Sequence, residues 1–255
     1  MILIDYSQIA ISNIAVQLAM SKDKMTLSIP IVRHMILNSI KGYVHKFKHE
    51  YPGDIVIAVD GPSPWRRDIF PHYKAKRREG RDESKTDWES VFGLLHTIKE
   101  EIRDNFPYKV VQLDNVEADD IIGTITKYLI KENNYENIYI ISNDTDFLQL
   151  VYNDNIHLYS YSLKDIKQKT LGNNEMDLQV KIMMGDKSDN ILPIHNKCGL
   201  QTSINYYKNQ DKLEKKMNKD ETIREKYNLN KLLIDLDSIP EELKKNILDK
   251  WKNMN

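Results

Sequence analysis

Short apolar runs that each stop at a carboxylate limit most strongly what this chain can fold into. Ile2-Leu3-Ile4 stops at Asp5, and Ile55 to Val59 stops at Asp60. Lys109 to Leu113 leads into Val116-Glu117-Ala118-Asp119-Asp120, and Asn137 to Ile141 leads into Ser142-Asn143-Asp144-Thr145-Asp146. Runs this short and this apolar suit strands buried on both faces of a parallel sheet. Ile156 to Tyr161 is a further strand candidate. Helical patterns lie between them. Ser7 to Met20 is one, and Asp87 to Asn105 carries an apolar stripe at Trp88, Val91, Leu94, Leu95, Ile98 and Ile102. Ile29 to Glu50 has Pro30 in its first turn and is ended by Tyr51-Pro52-Gly53. Glu117 to Lys131 and Glu175 to Met184 are two more, and a further helix is expected to begin at Ser142 to Asp146 and carry Phe147, Leu148 and Leu150. Alternating strands and helices make the expected class α/β, with a mostly parallel central sheet and helices on both faces.

In a doubly wound sheet the carboxyl ends of the strands share one edge, where ligands bind. Asp5, Asp60, Glu117, Asp119, Asp120, Asp144 and Asp146 are therefore expected to converge on one crevice. A single strand-end Asp is commonly a turn former or helix cap. One acid in the first turn of the Glu117 helix is likewise explained by the helix dipole. Three acids in four residues, facing three other acidic strand ends, repel one another unless a cation lies between them. An all-carboxylate set suits a hard, oxygen-preferring ion such as Mg²⁺ or Mn²⁺. So many acids suit two ions about 4 Å apart, the arrangement that supports phosphoryl displacement. Asp186 and Asp189, in Gly185-Asp186-Lys187-Ser188-Asp189-Asn190, can share one side of a turn, although these are also ordinary turn dipeptides.

The stretch from Trp65 to Arg81 interleaves Trp65, Phe70 and Tyr73 with Arg66, Arg67, Lys74, Lys76, Arg77, Arg78 and Arg81. It reads either as a solvated charged segment or as a grip on nucleic acid, where cations hold phosphates and rings stack on bases. From Lys197 onward the chain is lysine-rich and helical, with a strand expected at Leu232 to Leu236 and a mobile insertion at Lys212 to Lys226.

Composition narrows the class without naming a partner. The 255 residues carry a net charge of −1, are 40% hydrophobic and include one cysteine, Cys198, so a disulfide framework is excluded. No apolar run approaches a membrane span, and Met1 to Asp5 lacks a basic n-region, so neither a membrane anchor nor a signal peptide is expected.

The ordered motifs Asp5, Asp60, Glu117-Ala118-Asp119-Asp120, Asp144-Thr145-Asp146 and Gly185-Asp186-Lys187-Ser188-Asp189-Asn190 resemble the metal motifs of the 5′ nucleases, the flap-endonuclease and 5′-3′ exonuclease superfamily, and in particular its phage ribonuclease H branch. Val32 to Ile40, Trp65-Arg66-Arg67-Asp68, Asp87-Trp88-Glu89 and Leu233 to Asp237 share that style. The resemblance implies a catalytic domain at 1–190, with a helical arch at about 62–90, and a helical DNA-binding region at 191–255. It implies two divalent ions, one held by Asp60, Glu117, Asp119 and Asp120 with Asp5 nearby, the other by Asp144, Asp146, Asp186 and Asp189. Lys74 and Arg77 would contact the scissile phosphate, and Arg66, Tyr73, Lys76 and Arg78 would bind nucleic acid. The implied activity is removal of RNA primers and 5′ flaps during phage DNA replication, on DNA and RNA–DNA hybrid. Single-strand-binding protein and a sliding clamp are the expected protein partners, and a monomer in the host cytoplasm is the expected state. The chain departs from the family after Asn190. Ile191 to Leu200 holds one glycine where many members carry a glycine-rich duplex grip, which puts a K⁺ ion there in doubt.

Two other readings compete. A haloacid-dehalogenase-like phosphatase would use Asp144-Thr145-Asp146 as nucleophile motif, but only 40 residues separate Asp146 from Asp186 and the cluster at 117–120 is left without a role. A non-catalytic nucleic-acid-binding protein on the same fold would be expected to have lost some of the acids, and none is missing.

Overall fold

A computed structural model describes residues 1–21, 27–47, 53–84, 86–132 and 136–254. Strands β1 (Ile2–Asp5), β2 (Ile55–Ala58), β3 (Lys109–Val111), β4 (Ile138–Ile141) and β5 (Ile156–Tyr159) form one parallel sheet in the order β3-β2-β1-β4-β5. The chain builds outward from β1 to β3, then returns to lay β4 against the other side of β1. The switch point therefore falls between β1 and β4, where doubly wound sheets open a crevice.

Successive residues of β1 face opposite sides. Ile2 and Ile4 pack with α1 (Tyr6–Met20), α2 (Ile29–Phe47) and, beyond β2, α5 (Trp88–Asn105). Leu3 faces α6 (Ala118–Lys131) and α11 (Glu241–Lys252). Between β2 and α5 lie α3 (Arg66–Ile69) and α4 (Ala75–Asp82). After β5 come α7 (Asn174–Met184), α8 (Leu200–Lys208), α9 (Gln210–Lys219) and α10 (Glu221–Ile234). Among the described residues no helix is long and apolar enough to cross a membrane. The end expected for the second helix, 48–50, and the Tyr51-Pro52 stop lie outside the described residues.

Three expectations need correction. Asp144 starts a 3-10 turn, Thr145–Leu150, by accepting from the Asp146 N–H at 2.8 Å, so no α-helix follows β4 directly. Leu232 to Leu236 is not a strand. It closes α10 and enters a 3-10 turn at Leu236–Ser238, with Leu233, Ile234 and Leu236 buried. Gln149 holds this bend: its amide donates to the Ile234 carbonyl at 3.2 Å, and its carbonyl accepts from Leu236 N–H at 2.9 Å. The supposed insertion at 212–226 is built into α9 and α10, whose Leu213, Met217 and Ile223 bury against Met183, Ile194 and Cys198.

A candidate metal centre at the carboxyl edge of the sheet

Two glycines position acidic loops. A Cβ on Gly61 would lie 1.8 Å from the Leu113 carbonyl oxygen, so only glycine lets the loop after Asp60 lie flat against the loop after β3. Gly185 has φ +69°, and a Cβ there would meet the Ile191 carbonyl at 2.4 Å. That left-handed residue ends α7 and turns the chain into Asp186.

The acids separate by their partners rather than by their motifs. Asp5, Asp60, Asp119 and Asp144 line a single cavity of about 350 Å³, with Lys74 and Arg77 at its rim. Among the described residues none of the four has an ion pair, and Asp5, Asp60 and Asp144 have local hydrogen bonds. Asp5 caps α1 through Gln8 N–H at 3.1 Å and accepts from the Ser142 hydroxyl at 3.1 Å. Asp60 accepts from Ala118 N–H at 2.8 Å. Burial, then repulsion from Asp60, pushes Asp5 up to about 7. Burial, then Asp144, lifts Asp119 well above the usual carboxylate range.

The other acids are held by cations of the chain itself. Arg66, 3% exposed, lies 2.9 Å from Glu117 and 2.8 Å from Asp120, and its Nε donates to the Leu233 carbonyl at 2.8 Å. Asp120 also accepts from Trp65 Nε1 at 3.1 Å and Glu117 N–H at 3.0 Å. Lys74 Nζ donates to Glu117 at 2.6 Å and lies 3.8 Å from Asp189. Burial acts to raise Glu117, but Lys74 and Arg66 together hold it below its ordinary value. Arg77 pairs with Asp189, and the Tyr73 hydroxyl donates to Glu117 at 3.1 Å. Lys181 Nζ bridges Asp146 at 2.8 Å and Asp186 at 2.6 Å.

The structure places the expected site residues in different surroundings. Asp120 is fully buried and does not line the cavity: one oxygen accepts from Trp65 and Glu117 N–H, and the other lies at ion-pair distance from Arg66. Arg66 and Tyr73, expected to bind nucleic acid, are buried against the acids and present no surface to it. Lys76 and Arg78 are exposed, as a grip requires. Lys76 and Arg77 also line a larger space of about 640 Å³ beside Asp60, walled by Trp88, Phe92 and His96. Lys181 carries no motif and sequence reading missed it; its one signal is its place in the turn of helix that leads into Asp186.

The donor chemistry suits a hard divalent cation, although among the described residues no three of these side chains already stand gathered as a metal-binding group. The donors are all oxygen, the four cavity acids have no ion-pair partner among the described residues, and burial together with mutual repulsion raises Asp5 and Asp119. A test follows from the direction of these shifts. A carboxylate raised from about 4 to about 7 binds a proton in the folded state that the unfolded chain has already lost, so its stabilisation is present at low pH and fades as pH rises through about 7. The metal-free protein should lose Tm between pH 5 and pH 8, and Mg²⁺ should raise Tm more at pH 8 than at pH 5. Scanning fluorimetry in EDTA and in Mg²⁺ checks this; a flat Tm with no Mg²⁺ response would rule out a repulsive, cation-receptive cluster. The acids held low by cations, Glu117 and Asp186, titrate below this window.

Comparison with known proteins follows from this geometry. Residues 1–183 match the family model described as 5′-3′ exonuclease, N-terminal resolvase-like domain. The chain is 34% identical to ribonuclease H of Enterobacteria phage T4, over 98% of this chain and 86% of that protein. It is 29% identical to a 5′-3′ exonuclease of Buchnera aphidicola over 61% of this chain, spanning about half (49%) of that relative. It matches 19% of the length of the Streptococcus pneumoniae DNA polymerase I, at 29% identity. Among solved structures it is similar in fold to a bacteriophage T5 flap endonuclease in complex with DNA and metal ions, with TM-score 0.75, 18% identity and 99% of each chain covered.

Proposed function

The chain belongs to the 5′-3′ exonuclease family, and from that premise we propose that it is a metal-dependent 5′ nuclease that hydrolyses phosphodiesters of RNA–DNA hybrids and 5′ flaps. The observation that carries this reading is the convergence of Asp5, Asp60, Asp119 and Asp144, with no ion-pair partner among the described residues, on one cavity also lined by Lys74 and Arg77. Those four acids would hold one ion, and Asp146, Asp186 and Asp189 would contribute to a second, as Mg²⁺ or Mn²⁺. An ion held by these residues would supply positive charge that offsets the acids and the phosphate, and Lewis acidity for the displacement.

The residues of the chain have separable tasks. Glu117 and Asp120, clamped by Arg66, hold the base of the arch against α6. Lys74, with φ 56° in the left-handed region, is aimed back at Glu117, and its N–H is tied to the Asp189 carbonyl at 2.9 Å. A substrate phosphate entering the cavity would draw Lys74 and Arg77 away from Glu117 and Asp189 and be held by them. Exposed Lys76 and Arg78 would grip the flanking backbone. The helices after residue 190 would carry the duplex on lysines such as Lys212, Lys215 and Lys219, with the chain acting as a monomer on replication intermediates.

Lys74→Ala and Arg77→Ala should each slow the chemical step on the order of 100-fold while weakening substrate binding much less, because one positioned cation is lost from the developing charge. Single-turnover rates, and binding in Ca²⁺, separate the two effects. Collapsed affinity with an unchanged saturating rate would move both residues out of the reaction. The function itself is tested by 5′-labelled flap, nicked-duplex and RNA-primed substrates in Mg²⁺, side by side. Short labelled products from the 5′ end are expected. Cleavage of a small phosphate monoester alone, or binding with no cleavage, would overturn the proposal.

A further inference from the structure

Two groups of acids face the same crevice, yet they meet positive charge differently. Asp5, Asp60, Asp119 and Asp144 have no ammonium or guanidinium at ion-pair distance among the described residues, whereas Asp146 and Asp186 share Lys181. The Lys181 Nζ lies 2.8 Å from Asp146 Oδ1 and 2.6 Å from Asp186 Oδ2, between two carboxylates that nothing else joins. The remaining oxygen of Asp186 is already engaged: Oδ1 accepts from Ser188 N–H at 2.7 Å and from the Ser188 hydroxyl at 2.6 Å. Oδ2 is therefore the atom Asp186 has left to offer, and the ammonium covers it.

We propose that Lys181 is a built-in occupant of the second cation position, so that the two divalent ions bind unequally: the first enters the cavity lined by Asp5, Asp60, Asp119 and Asp144, and the second enters only by displacing the Lys181 ammonium. This rests on the two-cation reading given above. The exchange is sterically open. Lys181 sits on the last full turn of α7 with its side chain 26% exposed, and its flexible stem lets the head swing to water without moving the helix. It is also electrostatically conditional. A single positive charge balances only part of two carboxylates, so the arrival of a substrate phosphate beside Asp144 favours replacing it with a doubly charged ion. Lys181 would thus couple assembly of the full metal set to the presence of substrate, and hold Asp146 and Asp186 together against their mutual repulsion in free enzyme. Burial acts to raise Asp186, but Lys181 and Ser188 hold it at about 2, consistent with a carboxylate kept ionised by that ammonium.

The test counts ions rather than turnover. Mn²⁺ binding to the whole chain is titrated by the EPR signal of the free ion, in wild type, K181M, K181R, D119N and D186N. Wild type should show two steps, and K181M should tighten the second on the order of 10-fold or more, about 1.4 kcal/mol per tenfold, while leaving the first unchanged. K181R should keep the second step weak. Independently of any variant's folding, acetylation of Lys181 in wild type, followed by mass spectrometry, should rise as Mn²⁺ fills the second step. An unchanged or weakened second step in K181M, or Lys181 labelling that stays flat across the titration, overturns the proposal. In that case loss of the first step in D119N and of the second in D186N still upholds the two-cation reading. If neither variant alters the titration, that reading fails and the Lys181 proposal fails with it.

Discussion

Asp119→Asn is expected to reduce cleavage by at least about 1000-fold while leaving the metal-free protein as stable as wild type, or more stable. Metal ions contribute several kcal/mol of transition-state stabilisation in reactions of this class, and each 1.36 kcal/mol is tenfold in rate. Asp119 takes part in no ion pair among the described residues and lies across one cavity from Asp5 and Asp144, whose charges push its carboxyl up after burial has already done so. Removing its charge relieves repulsion in the folded state and takes away a cation donor at the same time. Asp144→Asn should behave alike in activity, although it also weakens the cap on Asp146 N–H. The diagnostic is the pair of readings: Tm in EDTA level or higher, and the Mg²⁺-induced rise in Tm lost. A large fall in metal-free Tm for both variants would make these acids structural. Asp5 is a poorer probe, since it also caps α1 and binds Ser142.

Arg66→Met should act in the opposite sense, costing about 3–5 kcal/mol of stability, because it strands Glu117 and Asp120 as buried carboxylates without their common partner. For a chain of this size that is a fall in Tm on the order of 10 °C. Arg66→Lys should recover little, since one ammonium cannot reproduce a fork that reaches both carboxylates and the Leu233 carbonyl. Lys74 still pairs with Glu117 in the variant, so Asp120 is the acid left most exposed to the loss. Combining Arg66→Met with Asp120→Asn should therefore restore part of the stability. Chemical denaturation of the three variants decides the matter. Unchanged stability with weakened DNA binding would mean that Arg66 leaves its buried position to meet the substrate.

Much of the architecture was legible because it depends on local pattern. Apolar runs of three to five residues, each followed within a few residues by an acid, were sufficient to place β1, β2, β3 and β4 in a parallel sheet and their acids on one edge. The grouping of those acids was not legible. It is set by which cation reaches which carboxylate across 51 residues for Arg66 and Glu117, or 112 for Arg77 and Asp189, and no spacing rule encodes that. Arg66 and Tyr73 stand in a basic, aromatic stretch that reads as a nucleic-acid grip; only tertiary packing turns them inward while Lys76 and Arg78 stay exposed. Leu232 to Leu236 looked like a strand because a short apolar run has the same composition whether it joins a sheet or closes a helix, and the deciding contact is the side chain of Gln149, far away in sequence. The charged stretch at 212–226 looked mobile because its few apolar residues, Leu213, Met217 and Ile223, are separated by lysines and acids, yet they fall on the faces of two helices that bury them.

The claim at the centre of this account is that the four unpaired acids form the principal metal site, and its most direct test is anomalous diffraction from crystals soaked in Mn²⁺ at low concentration. The expected result is one strong anomalous peak within coordinating distance of Asp5, Asp60, Asp119 or Asp144, with a weaker peak near Asp146 and Asp186 appearing only at higher Mn²⁺. A strong first peak at Glu117 and Asp120, or no peak in the cavity while the crystals hold Mn²⁺ elsewhere, would contradict it.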